Sequence, residues 1–359
     1  MWLTKRWGAI LLALTLLFSI TACSSGKGGT AAGGNEDQQP DNPVPIVDVS
    51  LGLEPQAIVA EYEGGSLTAE QFESYLRVQV FINPQYGLAI QQNDPQALTY
   101  LIERYVAEET LANRADQSES VDEQVQHQIN QLKSEYLTVY NGDEKRLKKQ
   151  MKDQDVTDQQ LEQFYRQYFL ASNHLGSKVT DEDMQRKYEA TKQEDKDSFV
   201  VASVRHILIA VGEPPTGLAD GEKPRSDEEA RKLAEEITER LRNGEDFAEL
   251  AKEYTDDPGS KETGGLYEDV YVTEWVPEFK KAAAELPLDT ISDPIKAEYG
   301  YHILRVEKRT EHTVDQLQGI ARARFVGEII DQKYLEFVNQ DLKEILKEEN
   351  IHLPKQDEK

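Results

Sequence analysis

The chain has one cysteine, Cys23, in 359 residues, so no intramolecular disulfide framework can form. Histidine is scarce as well, at six. No cluster of cysteine, histidine and acidic residues supports metal storage, and no cofactor motif is present. Basic charge is in deficit: 40 lysines and arginines against 67 aspartates and glutamates give a formal net charge of −27. Such a surface repels a phosphate backbone and excludes nucleic acid as a partner. It suits solubility and resistance to self-association at an exposed location. Long apolar runs are missing but for Gly8 to Ile20, which is shorter than the about 20 residues of a membrane span. A two-lobed α/β pattern, as a solute-binding receptor would need, is also missing.

What is present begins with that apolar run. Lys5 and Arg6 precede it and small residues follow, the layout of a secretory signal. Ile20-Thr21-Ala22-Cys23 resembles a bacterial lipobox. The resemblance implies a diacylglycerol on the Cys23 thiol, cleavage before it, and acylation of the new N-terminus. Two or three acyl chains anchor stably where one is marginal. Residues 1–22 thus read as a lipoprotein signal peptide. Residues 23–50 are rich in Gly, Ser, Asn and Pro, lack apolar periodicity, and read as a flexible tether.

With 38% apolar and 30% charged residues, the chain can build a core but favours long solvated helices over one large globule. Ile58 to Tyr62 is strand-like, Gly64-Gly65 forms a turn, and Thr68 with Gln71 fits a capping box ahead of a helix. Residues 95–193 predict helix after helix, with apolar residues at steps of three and four. At Ser198 the pattern changes. "FVVASVRHILIAV" is a β-branched run typical of a buried strand. Ser226 and Glu229 make a capping box for a helix that Gly244 ends, and Asp246 starts the next. A short helix at 278–285 and strand-like segments at 291–295 and 301–306 follow. From Val314 to Leu346 one long amphipathic stripe returns, including Ile320, Phe325, Ile329, Phe337, Leu342 and Ile345. A stripe that long needs a partner in the N-terminal helices. The fold class is therefore α+β: a small antiparallel-sheet domain at 198–308, inserted into a mostly helical body at 51–197 plus 309–353.

The tripeptide His-Ile-Leu occurs twice in the insert, at 206–208 and 302–304, with unlike flanks. "VRHILI", "EEARKLAEEITERLRNGEDFAELAKEYTDDPGSKETGG", "VPEFKKAAAELPLDTISDPI" and "YGYHILRVEKR", in that order, resemble a parvulin-type peptidyl-prolyl isomerase domain across almost the whole insert. With the lipobox, the "VAEYEGGSLTAEQF" entry and the C-terminal helix, the whole chain is similar to the PrsA-type extracytoplasmic foldase lipoproteins. The resemblance implies a bacterial protein anchored by lipid on the extracytoplasmic face of the cell membrane. Its partners would be unfolded or partly folded secreted polypeptides with Xaa-Pro bonds. The helical part would act as a chaperone-like body, and a homodimer is compatible with this layout.

The resemblance also implies site residues. His206 and His302 would lie on neighbouring strands and fix a polar network. Asp257 would stand beside the susceptible bond, where the family has Cys or Asp. Phe279 would floor the proline pocket. Trp275 stands where Met is common and Tyr267 where Leu is common, both as substrate-binding walls. The family's Gly-Gly-Asp-Leu-Gly becomes Gly264-Gly265-Leu266-Tyr267-Glu268. These departures imply a narrower pocket, and an alternative in which a weak or inactive isomerase domain serves a holdase chaperone. The loop at 211–225 lacks a basic cluster, which predicts no preference for phosphoserine.

Overall fold

The computed structural model describes residues 44–92, 94–117, 120–214 and 223–354. Cys23, the signal segment and most of the tether lie outside the described residues, as does much of the 211–225 loop. The chain divides into two compact units, one of residues up to Val179 together with those from Arg324 onward, the other Thr180–Ala323.

The first unit opens with the hairpin β1 (Ile58–Tyr62) and β2 (Gly65–Thr68). Helices α1 (Ala69–Ile82), α2 (Tyr86–Gln91), α3 (Pro95–Asn113), α4 (Asp122–Val139), α5 (Glu144–Asp153) and α6 (Asp158–Gly176) follow. Thr68 and Gln71 form the expected capping box on α1, and Thr157 with Gln160 does the same for α6. Their inward faces bury Phe72, Leu76, Leu101, Ile102, Tyr136 and Tyr165 in one core. Two expectations need correction here. The tether does not reach residue 50: Val44, Val47, Val49 and Leu51 are already core residues. The Gln154 side chain clamps the Val47 backbone, accepting from its N–H at 3.0 Å and donating to its carbonyl at 2.8 Å. The C-terminal stripe is also not one helix. It forms α11 (Gly319–Asn339) and α12 (Leu342–Ile345), and Ile320 is 89% exposed. A separate turn at Val314–Gln316 and a left-handed Gly319 (φ +54°) set the helix start late. Phe337, Leu342 and Ile345 do join the first unit's core, and the His352 N–H donates to the Val59 carbonyl at 2.8 Å.

In the second unit, α7 (Asp181–Glu194) leads into the strand β3 (Val200–Ala210). Tyr188 of α7 stacks on Phe199 at 4.2 Å and its hydroxyl donates to the His312 carbonyl at 2.9 Å. That packing puts α7 in this unit, so the compact division falls before residue 198. Helices α8 (Asp227–Arg242) and α9 (Phe247–Tyr254), strand β4 (Leu266–Tyr271), helix α10 (Pro277–Glu285), and strands β5 (Ile295–Ala297) and β6 (Gly300–Glu311) complete it. The sheet is antiparallel, in the order β4-β3-β6-β5. The expected strand at 291–295 is a single bridge from Ile291 to Arg305, because Pro294 has no N–H to give the ladder; β5 starts just beyond it.

Strand β3 is mostly apolar along its length because both its faces are covered. Ile207 and Ile209 pack under Ala234, Ile237, Phe247 and Leu250 of α8 and α9. Ala202 and Val204 pack with Phe279 and Ala283 of α10. The two His-Ile-Leu tripeptides meet in the β3–β6 ladder, with Ile207 opposite Ile303, His206 opposite Leu304, and Leu208 opposite His302. Side chains alternate along a strand, so both histidines emerge on the α10 face while both isoleucines face α8 and α9.

Candidate active site

The loop after α9 is bolted to β3 by its backbone. The Asp256 N–H donates to the Leu208 carbonyl at 2.8 Å, the Leu208 N–H to Thr255 Oγ1 at 3.0 Å, and the Ala210 N–H to Asp256 Oδ2 at 2.8 Å. At its far end the His206 N–H donates to the Gly265 carbonyl at 2.8 Å. Gly265 sits at φ +81°, and a Cβ there would lie 2.3 Å from the His206 carbonyl oxygen. Only glycine permits that approach. These contacts hold Asp257 over the imidazole of His206.

One carboxylate oxygen collects the network. Asp257 Oδ2 lies 2.9 Å from His206 Nε2, accepts from the Ser260 hydroxyl at 2.5 Å, and accepts from the Tyr267 hydroxyl at 3.0 Å. Its Oδ1 accepts the Gly259 N–H at 3.1 Å. Burial alone would raise the Asp257 pKa. The bonds from His206, Ser260 and Tyr267 outweigh burial and hold the carboxyl well below the usual range. Burial, followed by the Asp257 charge and hydrogen bond, pushes the Tyr267 phenol up to about 12. His206 therefore presents Nε2–H toward Asp257 and Ser260. Its Nδ1 faces the Nδ1 of His302 at 3.4 Å, a pair in which one ring donates and the other accepts. The Nε2 of His302 is buried without a partner among the described residues.

Phe279 closes the apolar side. Its ring stands edge-on to His206 at 5.3 Å and to His302 at 5.4 Å, and Trp275 lies against it at 4.8 Å. The six residues singled out by the sequence are thus brought together. Tyr267, expected as a wall of the pocket, also turns its hydroxyl inward to Asp257. Ser260, wholly buried, was missed. Its signal was a hydroxyl three residues past Asp257 on a Pro-Gly turn, where a buried carboxylate would need a donor. The His206, His302 and Asp257 side chains form a chain of bonds and share no vertex for a cation. Of the basic residues in the 211–225 loop, Arg225 is engaged by Asp256 at 2.5 Å.

Burial, with the neighbouring His206, lowers the His302 pKa from 6.5 to about 4. The folded value lies below the unfolded one, so between those values the unfolded chain binds the extra proton. Stability is full above about pH 6.5 and drains as pH falls toward 4, by about 3 kcal/mol in total. A His302→Gln variant should lose correspondingly less stability across that interval. Urea midpoints at the two ends of the window check this. Equal pH losses in both proteins would refute a neutral buried His302.

The arrangement offers a fixed anion, two hydrogen-bonded imidazoles and a dry aromatic floor. The chain as a whole is similar to known proteins. The model of the PPIC-type peptidyl-prolyl isomerase (rotamase) domain matches residues 206–308. A foldase protein PrsA from Caldanaerobacter subterraneus subsp. tengcongensis is 32% identical over 293 residues, covering 78% of this chain and 84% of that protein. A second, from Halalkalibacterium halodurans, is 29% identical over 266 residues, covering 72% and 67%. The crystal structure of PrsA from Bacillus cereus, 23% identical, covers 85% of this chain and 96% of its own with a TM-score of 0.34, too loose to inform the site. Identity at this level over most of both chains, joined to a domain match that spans both histidine strands, makes this chain a member of the PrsA foldase family, with a peptidyl-prolyl cis–trans isomerase domain that acts on polypeptides.

Proposed function

We propose that the Xaa-Pro bond is rotated between Phe279 and Asp257, with the proline ring against Phe279, Trp275 and Tyr267. The observation that carries this is the Asp257 carboxylate, held ionised by three donors on one oxygen beside a buried aromatic ring. Rotation about the bond faces a barrier of about 18–20 kcal/mol and takes tens to hundreds of seconds unaided. It transfers no atom, so neither nucleophile nor proton donor to substrate is required. The planar amide is polar through its resonance and loses that polarity on twisting. A dry site disfavours the planar form, and a preorganised charge favours the twisted one. His206, His302 and Ser260 hold that charge in place.

Residues 20–23 support a lipid anchor at Cys23 on the extracytoplasmic face of a bacterial membrane, where exported chains emerge unfolded. No helix among the described residues is long and apolar enough to cross a membrane. The first unit then serves as the body that holds secreted clients while the second isomerises them. Radiolabelled palmitate should enter the full-length chain in bacterial cells and be absent from Cys23→Ser. A wild-type chain that stays unlabelled ends the anchor reading.

A further inference from the structure

Tyr267 departs from the apolar residue expected at its position, and its hydroxyl is the third donor on Asp257 Oδ2. Its ring tilts over His206 at 5.3 Å between centroids. A second, independent observation lies at Gly259, which also borders that hydroxyl. Gly259 has no left-handed backbone, so its conformation admits other residues. Yet a Cβ at Gly259 would lie 2.6 Å from the Tyr267 hydroxyl oxygen and 3.4 Å from Asp257 Oδ1. The glycine is needed for space, and the atom that claims the space is the phenol oxygen.

We infer that Tyr267 is a positioning residue for the isomerase: its hydroxyl locks the Asp257 carboxylate in one orientation, and Gly259 makes room for it. This rests on the reading of Asp257 as the charge beside the rotating bond. Without the phenol, Oδ2 keeps two donors, Ser260 and His206, and Oδ1 keeps the Gly259 N–H. The carboxylate stays ionised but can swing about its side-chain torsions. A charge that must match a transition state loses effect when its position spreads, because reorganisation then falls within the reaction step. The ring of Tyr267, by contrast, meets the substrate equally in ground and transition states.

The two parts separate in kinetics on the full chain. Tyr267→Phe keeps the ring, so KM should hold while kcat falls about five- to tenfold. Tyr267→Leu should lower kcat by the same factor and raise KM. Gly259→Ala should displace the hydroxyl and reproduce the Tyr267→Phe loss in kcat. In the double variant Gly259→Ala/Tyr267→Phe the methyl has room, so the effects should not multiply. Thermal midpoints close to wild type in Tyr267→Phe and in the double variant keep folding out of the comparison. Unchanged kcat in Tyr267→Phe, or losses that multiply in the double variant, would overturn the inference. A Phe279→Ala control separates the two levels. Should Phe279→Ala remain fully active, the pocket reading fails first. Should it collapse while Tyr267→Phe turns over normally, only the role of Tyr267 fails.

Discussion

Phe279→Ala should lower kcat/KM on an Xaa-Pro peptide by about 100-fold, equivalent to roughly 2.7 kcal/mol of lost transition-state stabilisation. Phe279 is 3% exposed, and its ring touches both histidines and Trp275. Its removal takes the floor from the proposed proline site and opens the polar network to water, where each electrostatic term weakens. The same truncation leaves a cavity in the small core of Ala202, Val204, Leu304 and Val306, at about 3–5 kcal/mol of the unit's stability. Rates must therefore be normalised to folded protein. Phe279→Leu resolves the ambiguity, because it keeps most of the volume and loses the flat face; about a tenfold drop is expected with little change in melting temperature. A protease-coupled assay reads both variants. Wild-type rates in folded Phe279→Ala would remove Phe279 from the site.

Arg104→Met should destabilise the first unit by about 3–5 kcal/mol, the cost of stranding a buried charge. Arg104 Nε lies 2.7 Å from Glu108 Oε1 on α3, with side chains 12% and 2% exposed. Three tyrosines, Tyr75, Tyr168 and Tyr334, face this pair, and burial followed by the charge on Glu108 raises the pKa of each, that of Tyr168 to about 12. The surroundings are thus dry enough for an unpaired carboxylate to be expensive. Arg104→Met/Glu108→Met removes both charges and should recover most of the loss, since replacing a whole buried pair with apolar side chains is often neutral. Chemical denaturation of the three proteins tests this. A single variant within about 0.5 kcal/mol of wild type would show that the pair behaves as a surface pair.

This buried pair also marks what periodicity conceals. In "LIERYVAEE" the arginine and glutamate four residues apart look like an ordinary solvated helix pair. Their burial depends on tyrosines from α1, α6 and α11, which are distant along the chain and assembled only by packing. Val44, Val47 and Val49 show the same limit in reverse. Beside a Gly- and Pro-rich stretch they read as tether, until Gln154, 107 residues from Val47, brackets the backbone there.

Local chemistry was legible wherever a rule acts within a few residues. The capping boxes at Thr68 and Ser226 and the stop at Gly244 depend only on neighbours along the chain, and each is present. The isomerase domain was legible through the order of its segments, including the pairing of two His-Ile-Leu strands. The direction of the Tyr267 hydroxyl was not, nor was the place of Ser260 on Asp257. Residue type states that a phenol can donate, but not to what. That choice required β4 to lie beside β3, the 255–265 loop to be pinned across it, and Gly259 to leave one atom's width of space. The sequence by itself determined the helix caps, the order of the isomerase domain's segments and the chemical class of the site. Tertiary structure alone decided which donors converge on one carboxylate oxygen, because convergence is a property of distances across the fold.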